Sequence, residues 1–70
     1  MRYAVVIEKS DKNYSAYVPD LPGCIATGDT VAEVQESIRE ATELHLAGMR
    51  EDGTPIPPPS IQVDYIDVAA

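Results

Sequence analysis

Apolar and polar positions alternate along the first third of the chain, and the alternation predicts strands. Arg2 to Lys9 sets Tyr3, Val5 and Ile7 against Ala4, Val6 and Glu8, with β-branched residues dominating. Its middle is apolar on both faces, as in a strand central in its sheet. Ser10-Asp11-Lys12-Asn13 is a polar tip of turn formers. Tyr14, Ala16 and Val18 then alternate with Ser15 and Tyr17, so the first two strands form an antiparallel hairpin. Pro19 has no N–H to donate and ends the ladder. In Asp20-Leu21-Pro22-Gly23, Pro22 suits the second position of a turn and Gly23 the third, where φ is positive. Leu21, the one apolar side chain of that loop, either tucks beneath it or faces a partner. Cys24 to Thr27 reads as a third strand, closed by Gly28.

The period then changes from two to 3.6. Val31, Val34, Ile38, Ala41, His45 and Met49 form one stripe at 100° per residue, with Glu33, Glu36, Glu40 and Glu43 opposite. Thr30 and Glu33 have the spacing of a capping box, and Asp29 adds negative charge at the positive helix end. The helix is expected from Val31 to Glu51 or Asp52, with Gly53 as its stop; ending at Gly48 is the alternative. Arg39 precedes Glu43 by four residues and can pair with it. Thr54 to Ser60, with Pro55, Pro57, Pro58 and Pro59, is a semi-rigid polyproline II connector. Alternation resumes from Ile61 to Val68, which predicts a fourth strand.

The expected fold is therefore α+β: two layers, β-β-β-α-β, with a four-stranded sheet of order 3-2-1-4 covered on one face by the single long helix. That order puts the apolar first strand inside the sheet. The other face and the two edges stay open, which invites pairing with another chain.

Composition narrows the functional classes. The 70 residues form one expected domain, 1–70, near the lower limit for an unaided core. Its one cysteine allows no internal disulfide, so a homo-oligomer (a dimer or tetramer) or an obligate partner is expected. A lone cysteine, no signal-peptide pattern and no apolar run near the ~20 residues of a membrane span point to the cytoplasm. Twelve acidic residues against five basic ones give a net charge of -7. Such a surface repels phosphate backbones, so no direct nucleic-acid binding is expected; it favours basic proteins or simply keeps the chain soluble.

Candidate chemistry is sparse. One His and one Cys on different elements do not make a zinc site, and Gly23 and Gly28 flank a strand rather than form a phosphate loop. His45 belongs to the apolar stripe, and Cys24 reads as a packing thiol. Asp20, Asp29, Asp64 and Asp67 are a conceivable carboxylate set for metal-dependent ribonuclease work, but turn, cap and solvated strand explain them more simply. No cofactor, metal or catalytic residue is expected, and the chain is not expected to be an enzyme.

Tyr17-Val18-Pro19-Asp20-Leu21-Pro22-Gly23-Cys24, then Thr27-Gly28-Asp29-Thr30, Glu33, Glu51-Asp52-Gly53 and Pro55-Ile56-Pro57 form a recognisable series. With Val5-Val6-Ile7-Glu8-Lys9 it resembles the N-terminal domain of HicB-type antitoxins, over about residues 3 to 60. The resemblance implies a β-β-β-α-β fold likened to a truncated ribonuclease H, and a protein-binding role within a type II toxin–antitoxin system. The implied partner is HicA, a small basic mRNA-cleaving toxin with a double-stranded-RNA-binding-like fold, neutralised by covering its active site. Dimers or higher oligomers are also implied. Such antitoxins usually add a C-terminal ribbon-helix-helix or helix-turn-helix domain; here the chain stops after the expected fourth strand, so DNA binding is not carried over. Tyr17, Pro19, Asp20, Leu21 and Pro22 are the candidates for shaping the partner surface, the alternative being that they only build the turn. A self-associating module without a toxin is the competing function, and a residual metal-dependent ribonuclease the third.

Overall fold

The computed structural model describes residues 1–69. Among these, three short strands precede one long helix: β1 (Val6–Lys9), β2 (Tyr14–Tyr17), β3 (Ile25–Gly28) and α1 (Val31–Asp52). The strands form an antiparallel meander in the order β1-β2-β3. Val6 pairs with Tyr17 and Tyr17 with Ile25; Ile7 pairs with Ala16 and Ala16 with Ala26. The helix lies chiefly over β3 and β2.

Alternation places the side chains. Ala16 and Val18 are buried, and Tyr14 packs at the core margin, while Ser15 and Tyr17 face outward. The core is Ala16, Val18, Leu21 and Cys24 from the strand side and Val34 and Ile38 from α1. Tyr3, Ile7, Ala26, Ala41, Leu46 and Met49 pack around it. The predicted stripe holds along its middle and fails at its start. Val31, in the first turn, is 41 % exposed, and Leu46 takes a place that the stripe had not assigned.

Both helix ends form as the residue types predict. Thr30 accepts a hydrogen bond from the Glu33 amide at 3.0 Å, and the Glu33 carboxylate accepts one from the Asp29 amide at 3.1 Å, one residue before the cap. The helix passes through Gly48 and stops at Gly53, which is left-handed. There the Gly53 amide bonds to the Arg50 carbonyl and the Thr54 amide to the Met49 carbonyl, so the orphan carbonyls are satisfied. Arg39 pairs with Glu36 as well as with Glu43. These contacts, the Glu36 hydrogen bond first, hold the Glu36 carboxyl below and the Arg39 guanidinium above their usual ranges. All three side chains are exposed, and such pairs add little stability.

The four-stranded sheet of order 3-2-1-4 is not what forms. The sheet has three strands, and β1 is an edge rather than a centre. Two local causes account for this. Pro19 has no amide to donate, so the β1–β2 ladder stops at the Val6–Tyr17 pair and Arg2–Val5 find no ladder partner on β2. Ile61–Val68 joins no strand among the described residues; the proline run precedes it, and the contact between Ser60 and Asp20 holds its root at the β2–β3 loop. Val63 is 53 % exposed and Tyr65 93 %.

At Gly28 the end of β3 presses against the start of α1. A Cβ there would lie 2.7 Å from the Val34 amide nitrogen and 3.0 Å from its Cα. Both are backbone atoms and cannot rotate away. Gly28→Ala is expected to cost about 1–3 kcal/mol, the range for overpacking. Leu21→Ala is expected to cost about 2–5 kcal/mol, which is most of the stability of a chain this size. Urea unfolding followed by circular dichroism measures both; a change below a few tenths of a kcal/mol at either position contradicts the packing described.

Candidate functional site: the β2–β3 loop and the open sheet face

The loop from Val18 to Cys24 consists of two consecutive β-turns. The Leu21 amide donates to the Val18 carbonyl at 3.0 Å, and the Cys24 amide to the Leu21 carbonyl at 3.0 Å. Pro19 and Pro22 each occupy the second position of a turn, where their fixed φ is already correct. Gly23 follows Pro22 with φ at 86°, a conformation costly for any residue with a Cβ. The three-residue repeat sends Val18, Leu21 and Cys24 inward, all buried, and leaves Pro19 and Asp20 half-buried and Pro22 exposed. The Cys24 thiol lies 3.5 Å from the Thr42 hydroxyl, which itself donates to the Ile38 carbonyl at 2.6 Å.

The helix covers only one face of the sheet. On the opposite face the register lines up Val6, Tyr17 and Ile25 in one cross-strand row, with Glu8, Ser15 and Thr27 in another. Tyr17 is 41 % exposed and Ile25 70 %. This apolar row abuts the Pro19–Pro22 turns, and Glu8 and Asp29 add acidic charge near the strand ends.

The five residues singled out from the sequence divide into four groups. Tyr17 lies on the open face, and Pro19 and Pro22 form the outer rim of the turns. Leu21 is 1 % exposed, so it shapes the loop from beneath and offers no side chain to a partner. Asp20 is occupied within the chain: its carboxylate accepts from the Ser60 hydroxyl, the Ser60 amide at 3.0 Å and the Ile61 amide at 3.4 Å. Ile25 was missed. Its signal was present, since Cys24 pointing inward puts the next residue outward, directly opposite Tyr17.

Among the described residues, no three His, Cys, Asp or Glu side chains gather closely enough to hold a metal ion. No helix among them is long and apolar enough to cross a membrane.

Comparison with known proteins adds to this geometry. Residues 3–69 match the HicB_like antitoxin family of bacterial toxin–antitoxin systems. The chain belongs to that family. A 14.9 kDa protein from the rep-hol intergenic region of Haemophilus phage HP1 is 39% identical over 67 residues, covering 96% of this chain and 50% of its own. A UPF0150 protein of Helicobacter pylori is 43% identical over 47 residues, or 67% of this chain and 65% of its own. A UPF0150 protein of Archaeoglobus fulgidus is 41% identical over 56 residues, 76% and 81% of the respective chains. This chain thus spans half the length of the phage relative and less than two thirds of the Helicobacter one. Among solved structures, a chain of a HicA3 and HicB3 toxin–antitoxin complex superposes with a TM-score of 0.73 at 32% identity, over 84% of this chain and 70% of that one.

The Asp20 contacts give a pH test. The Ser60 hydroxyl first and then the Ser60 amide hold the Asp20 carboxyl below its usual range; desolvation opposes them, and the Ile61 amide adds a lesser lowering. A lowered folded value means that the contact stabilises fully above the unfolded value, about 3.9, and is lost as pH falls through the lower folded one. The Ser60 and Ile61 amide shifts are expected to titrate with Asp20, at a midpoint below about 3.9. Asp20→Asn is expected to abolish that transition. Amide shifts at Ser60 that ignore the Asp20 titration contradict the contact.

Proposed function

We propose that this chain is the toxin-binding module of a type II toxin–antitoxin pair, and that it neutralises a small basic HicA-type mRNA-cleaving toxin by covering its active site. The observation that carries the reading is the 0.73 TM-score at 32% identity to a chain of a HicA3–HicB3 complex, joined to family membership over residues 3–69. The net charge of -7 supports it, because opposite charge speeds encounter with a basic partner. The open face supplies what charge alone lacks. Tyr17 and Ile25 give an exposed apolar centre, and aromatic side chains are enriched among residues that dominate binding energy. Pro19 and Pro22 supply a rigid rim that loses little entropy on binding. Leu21 and Asp20 serve that rim indirectly, one by supporting it from below and the other by fixing it to Ser60.

The module acts by occlusion rather than chemistry, so its effect is stoichiometric and not catalytic. Co-expression with a small basic HicA-type toxin is expected to restore growth and to yield a co-purifying complex. Tyr17→Ala combined with Ile25→Ala is expected to weaken that complex at least tenfold by calorimetry while leaving the circular dichroism spectrum unchanged. No rescue and no complex with the unaltered chain overturns the antitoxin reading. Rescue by the double variant with unchanged affinity overturns the assignment of the face.

A further inference from the structure

The connector Thr54–Ser60 is tied to the rest of the chain at its start, its middle and its end. At the start, Gly53 closes α1 and the Thr54 amide donates to the Met49 carbonyl. Midway, the Tyr3 hydroxyl donates to the Pro57 carbonyl; Tyr3 also lines the open groove between β1 and α1. At the end, the Asp20 carboxylate gathers donors from two consecutive residues. The Ser60 hydroxyl reaches Oδ1, and the Ser60 and Ile61 amides reach Oδ2. Pro55, Pro57, Pro58 and Pro59 stiffen the stretch between, about 22 Å long if extended at ~3.1 Å per residue. The connector is thus a stiff strap that leaves α1 at Gly53 and is clasped at Ser60.

The clasp lies at the surface. Ser60 and Ile61 are exposed, only Ile56 and Pro57 of the strap are half-buried, and Ile61–Val68 projects beyond it. Segments held by exposed hydrogen bonds and little buried apolar area open locally at far lower cost than the whole molecule unfolds. The other half of the clasp belongs to the candidate partner surface. Asp20 is the third residue of the turn that the Leu21 amide closes on the Val18 carbonyl, and it lies between the rim residues Pro19 and Pro22. Leu21 holds this turn from the core side. The strap holds it from outside, through a carboxylate engaged at both oxygens.

We propose that the strap is a clasp on the partner surface: closed, with Ser60 on Asp20, it keeps the Pro19–Pro22 rim in its binding form, and open, it lets the rim relax. Ser60 is then a positioning residue that acts through Asp20. The functional consequence rests on the toxin-binding reading, since the rim matters only to a partner seated on it. Linkage makes the effect mutual: the factor by which a closed clasp raises partner affinity is the factor by which a bound partner favours closure. A partner therefore tightens a segment that it need not touch.

One measurement uses the free chain and no toxin. Ser60→Ala is expected to leave the circular dichroism spectrum unchanged and to speed hydrogen exchange of the Leu21 amide about threefold or more, because the turn opens locally more often. Ser60→Thr keeps the hydroxyl and is expected to restore the parent rate. Unchanged exchange in Ser60→Ala overturns the proposal. A second measurement is calorimetry against a small basic HicA-type toxin. Ser60→Ala is expected to weaken binding about fivefold, the low end of such couplings, and Ser60→Thr to restore it. In an Asp20→Ala chain, Ser60→Ala is expected to have no further effect. Unchanged affinity in the parent background overturns the proposal, and so does an equal loss in both backgrounds, because Ser60 then meets the toxin directly. In the complex the Ser60 and Ile61 amides are expected to exchange several-fold more slowly than in the free chain; equal rates overturn the linkage. An unaltered chain that binds no toxin overturns the antitoxin reading instead, and exchange in the free chain still decides whether the strap holds the rim.

Discussion

Val18, Leu21 and Cys24 meet Val34 and Ile38 beneath the β2–β3 loop, and this contact holds the two layers together. Four-residue strands expose too little surface to hold a helix by themselves, and β1 hardly touches α1. A loop of two stacked turns solves the problem by acting as part of the core. Its hydrogen bonds satisfy its own backbone, so three side chains can be buried without stranding polar groups. The cost of ordering such a loop is lowered in advance by two prolines at positions where their φ is already right.

The same economy explains why the outer parts are open. The helix spans 22 residues, about 33 Å, whereas each strand covers about 13 Å. Only one stretch of α1 can therefore be roofed by the sheet. The rest of its apolar side, with Leu46 and Met49, borders the groove and the margin of the core. A sheet with one bare face, one free edge and a projecting apolar segment leaves much of its binding capacity to other molecules. Family membership and the likeness to a chain of a toxin–antitoxin complex agree with a protein that works through contact.

Local rules made most of the fold legible before the structure was seen. The strand phases at Tyr14–Val18, the Pro22-Gly23 turn, the Thr30–Glu33 cap and the Gly53 stop each depend on neighbours within six residues. The sheet order was not legible, because it depends on where a distant segment ends up. Ile61–Val68 has the pattern of a strand whether its partner lies in this chain or another, and alternation carries no information about which. The site was legible only in part. Tyr17 lies on the open face and Pro19 and Pro22 on the rim of the turns, whereas the Asp20 contact was not legible because its partner, Ser60, lies forty residues away. Leu21 was ambiguous because a single apolar residue in a loop has no period from which to read its direction. Ile25 went unremarked because it was judged as part of a short strand and not against Tyr17 across the sheet.

The lone thiol lies at the most protected point of this arrangement. Cys24 is 3 % exposed, roofed by the turns and faced by the Thr42 hydroxyl. A thiol-reactive reagent reaches it only when the loop lifts from the helix, which breaks the contact that joins the layers. Where the loop recloses faster than the reagent reacts, the labelling rate of that single sulfur therefore follows the fraction of molecules in which the loop has lifted from the helix.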